Sequence, residues 1–387
     1  MKITIVMGFF LPVPPAAGGA TEKSWHRLAL EFSRLGHDVT VVSRAWPGWA
    51  DREIQAGVTH IRIPGFGHTK KLWRNLVLDF IWSLRVHRRL PAADIVVVNT
   101  VALPCWLGWL RPEAGKVVVM PGRMPKGQFR VYNHLARIMV TSTPVLSAVL
   151  AEGERWCPMA RIYGYPVNIP AFSGPRSAST GAVITLGYIG RIHREKGLDL
   201  LVDALVLLAT RDVPAWRVIL CGPVDVDQGG SGPEYRDQLA ARLATVLPPE
   251  RLTFAPAEFN ETALAQRYQE IDLFCYPSLA AQGETFGVAV VEAMAAGAVP
   301  VVSDLTCFRD FVEPGLNGER FDHTALDATG QLADTLAGLL TDPSRRLALA
   351  SQAITDARAY DFPVFAERLL ADFQSLVSPL DHDSTAR

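Results

Sequence analysis

The sequence predicts an α/β protein built from two doubly wound parallel-sheet domains. Three observations carry that reading. The chain opens with a strand–helix–strand run: KITIVM (Lys2 to Met7), the amphipathic EKSWHRLALEFSRLG (Glu22 to Gly36) ending at a glycine, and HDVTVVS (His37 to Ser43). Short apolar runs alternating with helical or turn segments then recur through both halves. Between the halves, YPVNIPAFSGPRSASTG (Tyr165 to Gly181) is rich in Pro, Ser and Gly and has no periodicity, as a linker would be. A length of 387 residues fits two domains of ordinary size.

In order, the first half continues with VTHIRIP (Val58 to Pro64), ADIVVVN (Ala93 to Asn99), KVVVMPG (Lys116 to Gly122) and ARIMVTS (Ala136 to Ser142) as strands of one sheet. The second half restarts the pattern with AVITLGYIG (Ala182 to Gly190), WRVILCG (Trp216 to Gly222), RLTFAP (Arg251 to Pro256), IDLFCYP (Ile271 to Pro277) and AVPVVSD (Ala298 to Asp304). Domains 1–170 and 171–357 follow, with a last helical segment in 358–387. Two such sheets are expected to face a central cleft with their carboxyl ends, where α/β sheets bind ligands.

Composition excludes several classes. The chain is 49% hydrophobic and 20% charged with a formal net charge of -1, which argues against disorder and against a nucleic-acid partner. The five cysteines show no CxxC spacing, and Cys221 and Cys275 lie in apolar strand-like runs, so a reduced cytoplasmic chain is expected. The start imitates a signal peptide, but the helix and strand that follow directly favour a buried first strand and a glycine-rich turn.

The chemistry centres on GETFGVAVVEAMAAGAVPVVSD (Gly283 to Asp304), which sets Glu284 and Glu292 eight positions apart. The alanine-rich run from Gly287 to Ala296 favours helix, with Gly297 as its stop and Thr285 as its expected cap. Glu292 then sits mid-helix among Val288, Val290, Val291 and Met294, where a carboxylate needs partners that ribose hydroxyls would supply. Glu284 lies on the loop before the helix. Eight helical residues rise about 12 Å, so the two acids suit two ends of a long ligand.

A second constellation is GYIGRIHREKGLDLLVDAL (Gly187 to Leu205). Arg191 and Lys196 flank a turn that leaves the strand at Gly190, so both cations sit at the carboxyl edge of the sheet and can offset a diphosphate. No GK[ST] follows, so this is not a P-loop. Near the amino terminus, Gly18 and Gly19 let backbone approach a ligand closely before a helix that starts near Thr21.

Together these segments, with PGLNGERF further on, resemble the retaining glycosyltransferases of family four, which have the GT-B fold of two Rossmann-like domains. The resemblance covers nearly the whole chain and is strongest in the second half. It implies that Arg191 and Lys196 bind the diphosphate of a nucleotide sugar beside Gly190. It makes Glu292 the ribose ligand and Glu284 the acid at the donor sugar, helped by main-chain groups at Thr285, Phe286 and Gly287. Gly18 and Gly19 resemble a loop that closes over the diphosphate, no metal or other cofactor is required, and the final helix crosses back to the first domain. Front-face attack, with the leaving phosphate taking the acceptor's proton, is the mechanism the resemblance implies. The acceptor-side histidine of many relatives is absent: VVNT (Val97 to Thr100) and MPGRMPKG (Met120 to Gly127) stand in its places, where Asn99 and Arg123 are candidate polar contacts.

The expected function is transfer of a sugar to a glycan or polyprenyl-linked acceptor in surface polysaccharide assembly. A sugar-nucleotide epimerase or phosphorylase of the same fold, and a non-catalytic nucleotide-sugar binder, stand as alternatives. Asp225-Val226-Asp227 is an isolated DxD and is not read as a metal site. HTKKLWRNLVLDFIWSLRVHRRL (His68 to Leu90) carries six Lys and Arg against one acid, Asp79, with Trp73, Phe80 and Trp82 interleaved. It reads either as a helix for an anionic membrane surface or as an ordinary sheet-covering helix.

Overall fold

A computed structural model describes residues 1–174 and 183–378. The chain divides into two units, Met1–Pro166 together with the chain from Phe362 onward, and Val167–Asp361. Residues 175–181 of the expected linker, and Ala182 of the strand expected after it, lie outside the described residues.

The first unit holds an eight-stranded sheet in the order β3-β4-β2-β1-β5-β6-β7-β8. Its strands are β1 (Lys2–Val6), β2 (Asp38–Arg44), β3 (Arg52–Gln55), β4 (Val58–Ile63), β5 (Ile95–Val98), β6 (Lys116–Val119), β7 (Leu135–Val140) and β8 (Ala160–Ile162). Every pair is parallel except β3 with β4. The strand REIQ of β3 has no apolar alternation to betray it, and it pairs through a tight turn at Ala56 and Gly57, both at positive φ. β1 lies between β2 and β5, with Ile3 opposite both Val39 and Ile95, so the order of connection reverses at its carboxyl end.

Both faces of this sheet are covered, which is why its central strands are apolar without alternation. On one face the helix Ala20–Arg34 buries Trp25, Leu28 and Phe32 against Ile3, Ile5 and Val41. The Phe362–Val377 helix adds Phe365, Leu369 and Phe373 to the same core, with Phe32 and Phe373 edge to face at 6.1 Å. Arg137 of β7 grips Asp372 of that helix in a bidentate fork at 2.8 and 2.7 Å. On the other face the Leu72–His87 helix buries Trp82 and Val86. Its single acid is not a solvated charge: Asp79 is buried and accepts the Val101 and Ala102 amides at 3.1 and 2.8 Å.

The second unit holds a six-stranded, all-parallel sheet in the order β11-β10-β9-β12-β13-β14. Its strands are β9 (Ile184–Ile189), β10 (Trp216–Cys221), β11 (Leu252–Ala255), β12 (Leu273–Tyr276), β13 (Val299–Ser303) and β14 (Glu319–Phe321). The reversal of order falls at β9, between β10 and β12. One expected local feature is corrected. The helix that carries Glu292 runs Val288–Ala295, and its cap is Gly287 rather than Thr285. Gly287 enters the helix at φ 104°, and a Cβ there would stand 2.6 Å from the Phe308 ring, so the turn is made by backbone freedom and not by a side-chain hydroxyl.

Candidate active site

The second unit gathers its charged residues where β9 ends. Gly190 follows the strand and donates its amide to the Cys221 carbonyl at 3.0 Å, and Arg191 comes next. The chain then makes a 3₁₀ turn, Arg194–Lys196, and enters the Leu198–Leu208 helix through Gly197. Gly197 sits at φ 69°, and a Cβ would meet the Pro277 carbonyl oxygen at 2.0 Å, so this close turn demands glycine. Its consequence is to bring Lys196 inward beneath the β12 end.

There Lys196 is buried and paired with the equally buried Glu284, through a direct contact of Nζ with Oε1. Tyr276 of β12 supports the pair: its hydroxyl donates to Glu284 Oε1 at 3.4 Å, and Lys196 Nζ stands 5.5 Å from its ring centre. Arg191 is half-exposed, reaches Glu195 Oε1 at 2.5 Å and donates to the Gly229 carbonyl at 3.1 Å. Tyr188 in turn fixes the Arg191 backbone by donating to its carbonyl at 2.7 Å.

Glu292 lies a little over one turn along the helix that starts after Gly287. It accepts the Tyr268 hydroxyl at 2.9 Å, and burial pushes its carboxyl up to about 7. Phe286 is buried and its ring packs on Phe311 and Tyr360 at 5.1 and 5.2 Å, which leaves only its main chain for a ligand, while Thr285 and Gly287 are half-buried. The structure therefore brings Arg191, Lys196 and Glu284 into one cluster at the β9 and β12 ends and sets Glu292 on the adjoining helix.

Gly18, Gly19, Asn99 and Arg123 belong to the first unit. Gly18 and Gly19 have φ of 84° and 91° and lead into the Ala20–Arg34 helix. Glu22 is buried in its first turn, with its carboxyl raised by burial, and a Cβ on Gly19 would stand 2.1 Å from its Oε2. The chain's own carboxylate thus occupies the amino end of that helix. At the carboxyl ends of β5 and β6 a cavity of about 300 Å³ is lined by Asn99, Thr100, Met120, Arg123 and Tyr132 among others. Asn99 spends its amide on the Val6 carbonyl at 3.2 Å, which leaves its buried Oδ1 and the buried Thr100 hydroxyl without hydrogen-bond partners among the described residues.

Several participants escape sequence reasoning. Tyr276 ends the apolar strand run LFCY and looks like core, and Tyr268 lies in the polar helix ETALAQRYQ without a spacing cue. Glu195 hides in a turn that reads as basic, although its i,i+4 spacing from Arg191 is a signal that could have found it. Thr100 is the last residue of VVNT and carries no spacing cue.

Residues 176–356 match the family model described as glycosyl transferases group 1. Through that region the chain is similar to the glycosyl transferases group 1 family. Among proteins similar to this chain is the phosphatidyl-myo-inositol mannosyltransferase of Mycobacterium tuberculosis, 31% identical over 72% of this chain and 65% of its own. The D-inositol 3-phosphate glycosyltransferase of Nocardia farcinica is 32% identical over 49% of this chain and 40% of its own. The chain spans less than half the length of the first curated relatives it matches. Two solved structures share the GT-B fold. Sucrose-phosphate synthase from Thermosynechococcus elongatus aligns over 97% of this chain and 98% of its own with a TM-score of 0.71 at 19% identity. HepE from Anabaena, in complex with UDP, aligns over 97% and 100% with a TM-score of 0.69 at 17% identity.

Proposed function

We propose that this chain is a retaining, metal-independent glycosyltransferase of family four that moves a sugar from a nucleoside-diphosphate sugar to a glycan or polyprenyl-linked acceptor. The observation that carries the reading is the cluster itself: two cations at a sheet's carboxyl edge, a buried acid in contact with one of them, and a second partly desolvated acid on the next helix. Arg191 and Lys196 hold the diphosphate and take up the charge that grows on it as the C1–oxygen bond breaks, which is the work a metal does in other transferases. Glu284 orients the sugar hydroxyls and Glu292 the ribose. The acceptor hydroxyl forms the new bond to C1 on the face the diphosphate leaves, and its proton passes to the departing phosphate oxygen. That route asks for no protein base, in keeping with Asn99 and Thr100 where relatives are expected to carry histidine.

The proposed place of action is the cytoplasmic face of a membrane, in surface polysaccharide assembly. Among the described residues no helix is long and apolar enough to cross a bilayer. The Leu72–His87 helix nonetheless turns Leu72, Trp73, Leu76, Val77, Phe80 and Ile81 outward, with Lys70, Lys71, Arg74, Arg88 and Arg89 on and around it. Apolar side chains ringed by cations suit an anionic bilayer.

The test is thermal unfolding in chelator with UDP, GDP, ADP and their common sugars. A ligand at 100 times its dissociation constant adds about 2.7 kcal/mol, and one nucleotide family should show this shift while Glu292→Ala abolishes it. No shift with any nucleotide, or an equal shift in the variant, rejects the donor site.

A further inference from the structure

Charge bookkeeping at the β9 end exposes a problem for an anion site. Arg191 and Lys196 are matched one for one by Glu195 and Glu284, and neighbouring Arg194 is 3.6 Å from Asp199 and lies over the Tyr235 ring. A diphosphate therefore approaches two cations that are already occupied. The two pairs differ in what their exchange requires. Arg191 and Glu195 have 42% and 38% of their side chains exposed, so water screens the pair and solvates Glu195 once it is displaced. Lys196 and Glu284 are 8% and 7% exposed, and removing Lys196's charge from Glu284 leaves a carboxylate in a dry site with the Tyr276 hydroxyl beside it.

We propose that the Lys196–Glu284 pair selects the intact sugar donor over the spent nucleoside diphosphate, with Glu195 as the exchangeable counter-ion of Arg191. This rests on the donor-site reading above. A donor that carries its sugar gives both members of the buried pair new partners at once: a phosphate oxygen for Lys196 and sugar hydroxyls for Glu284. A diphosphate without its sugar offers a partner to Lys196 alone and strands Glu284. After transfer, Glu284 loses the hydroxyls it held and returns to Lys196, which displaces the product. Glu284 is thereby a specificity residue for the state of the ligand, and Glu195 is a positioning residue that acts through Arg191.

The experiment is titration calorimetry of the full chain with inorganic pyrophosphate, UDP, GDP, UDP-glucose and GDP-mannose. Glu284→Gln keeps the shape of the side chain and frees Lys196. It should bind pyrophosphate and the accepted nucleoside diphosphate about tenfold tighter while binding of the sugar nucleotide stays level or weakens, so the preference for donor over product collapses. Glu195→Gln should tighten product and donor alike by about threefold and leave that preference intact. If Glu284→Gln does not fold, Glu284→Asp, which withdraws the carboxylate from Lys196 by one methylene, should shift the preference in the same direction. The proposal is overturned if these Glu284 variants bind the diphosphates no tighter than the unaltered chain while Arg191→Ala and Lys196→Ala still lose them. If Arg191→Ala, Lys196→Ala and Glu292→Ala all leave nucleotide affinity unchanged, the donor site itself is misplaced.

Discussion

At the scale of single residues, Glu292 ties stability to pH. Its carboxyl titrates at about 7 in the native chain, whereas an unfolded glutamate titrates near the ordinary value of 4.5. Between those two values the unfolded state sheds its proton first, so native stability falls as pH rises through that window and levels off above 7. Glu292→Gln cannot ionise and can still accept the Tyr268 hydroxyl. Urea unfolding should show it equal to the unaltered chain near pH 4.5 and more stable by at most about 3 kcal/mol at pH 8. The same variant should bind nucleotide more weakly, which would separate a carboxylate kept for a ligand from one kept for the fold. His60 has the opposite sign. It is wholly buried, and burial with the nearby Arg62 charge lowers it to about 4. Stability is lost as pH falls from about 6.5 toward 4, and His60→Phe should flatten that acid limb in the same urea titration. Sequence spacing singles out Glu284, Glu292, Arg191 and Lys196, and the fold brings Arg191, Lys196 and Glu284 together with Glu292 on the adjoining helix. Spacing does not mark Tyr268 or Tyr276, because a tyrosine in a helix or strand looks the same whether its hydroxyl meets a carboxylate or a backbone carbonyl, and Thr100 closes an apolar strand run with no partner residue in the sequence to point to it.

At the scale of elements, two helices make opposite demands on water. The Leu72–His87 helix buries Trp82 and Val86 but leaves its other flank uncovered, with Leu72 67% and Trp73 62% exposed. The unaltered chain should sediment with vesicles containing phosphatidylglycerol and not with phosphatidylcholine alone. Replacing Leu72 and Trp73 together with Asp should abolish that sedimentation without lowering the unfolding temperature, since these two side chains are 67% and 62% exposed. If the variant and the unaltered chain sediment alike, the face has another purpose. The Phe362–Val377 helix is instead held down by a nearly buried ion pair, and Arg137→Ala should cost about 3 kcal/mol in urea unfolding by leaving Asp372 short of its partner. Element legibility followed apolar content. Strands such as IVVV and KVVV announced themselves, whereas REIQ in β3 and the three-residue β8 and β14 are made by pairing with a neighbour, which no local pattern records. At the Glu292 helix the hydroxyl of Thr285 is the usual sign of a start, whereas the left-handed backbone of Gly287 is what makes the turn.

At the scale of the whole molecule, the doubly wound plan of each unit was readable because βα alternation repeats many times, so an error in one element does not change the answer. The first unit is discontinuous in sequence: it is built from Met1–Pro166 and then closed by residues after Asp361. That has a consequence for how the protein is made. A ribosome delivers Trp25, Leu28 and Phe32 early, yet the helix that packs against them emerges only after all of Val167–Asp361 has been translated. Throughout that interval the nascent chain lacks the cover for one oily helix flank, and a polypeptide cut short before Phe362 should keep that flank bare after synthesis ends.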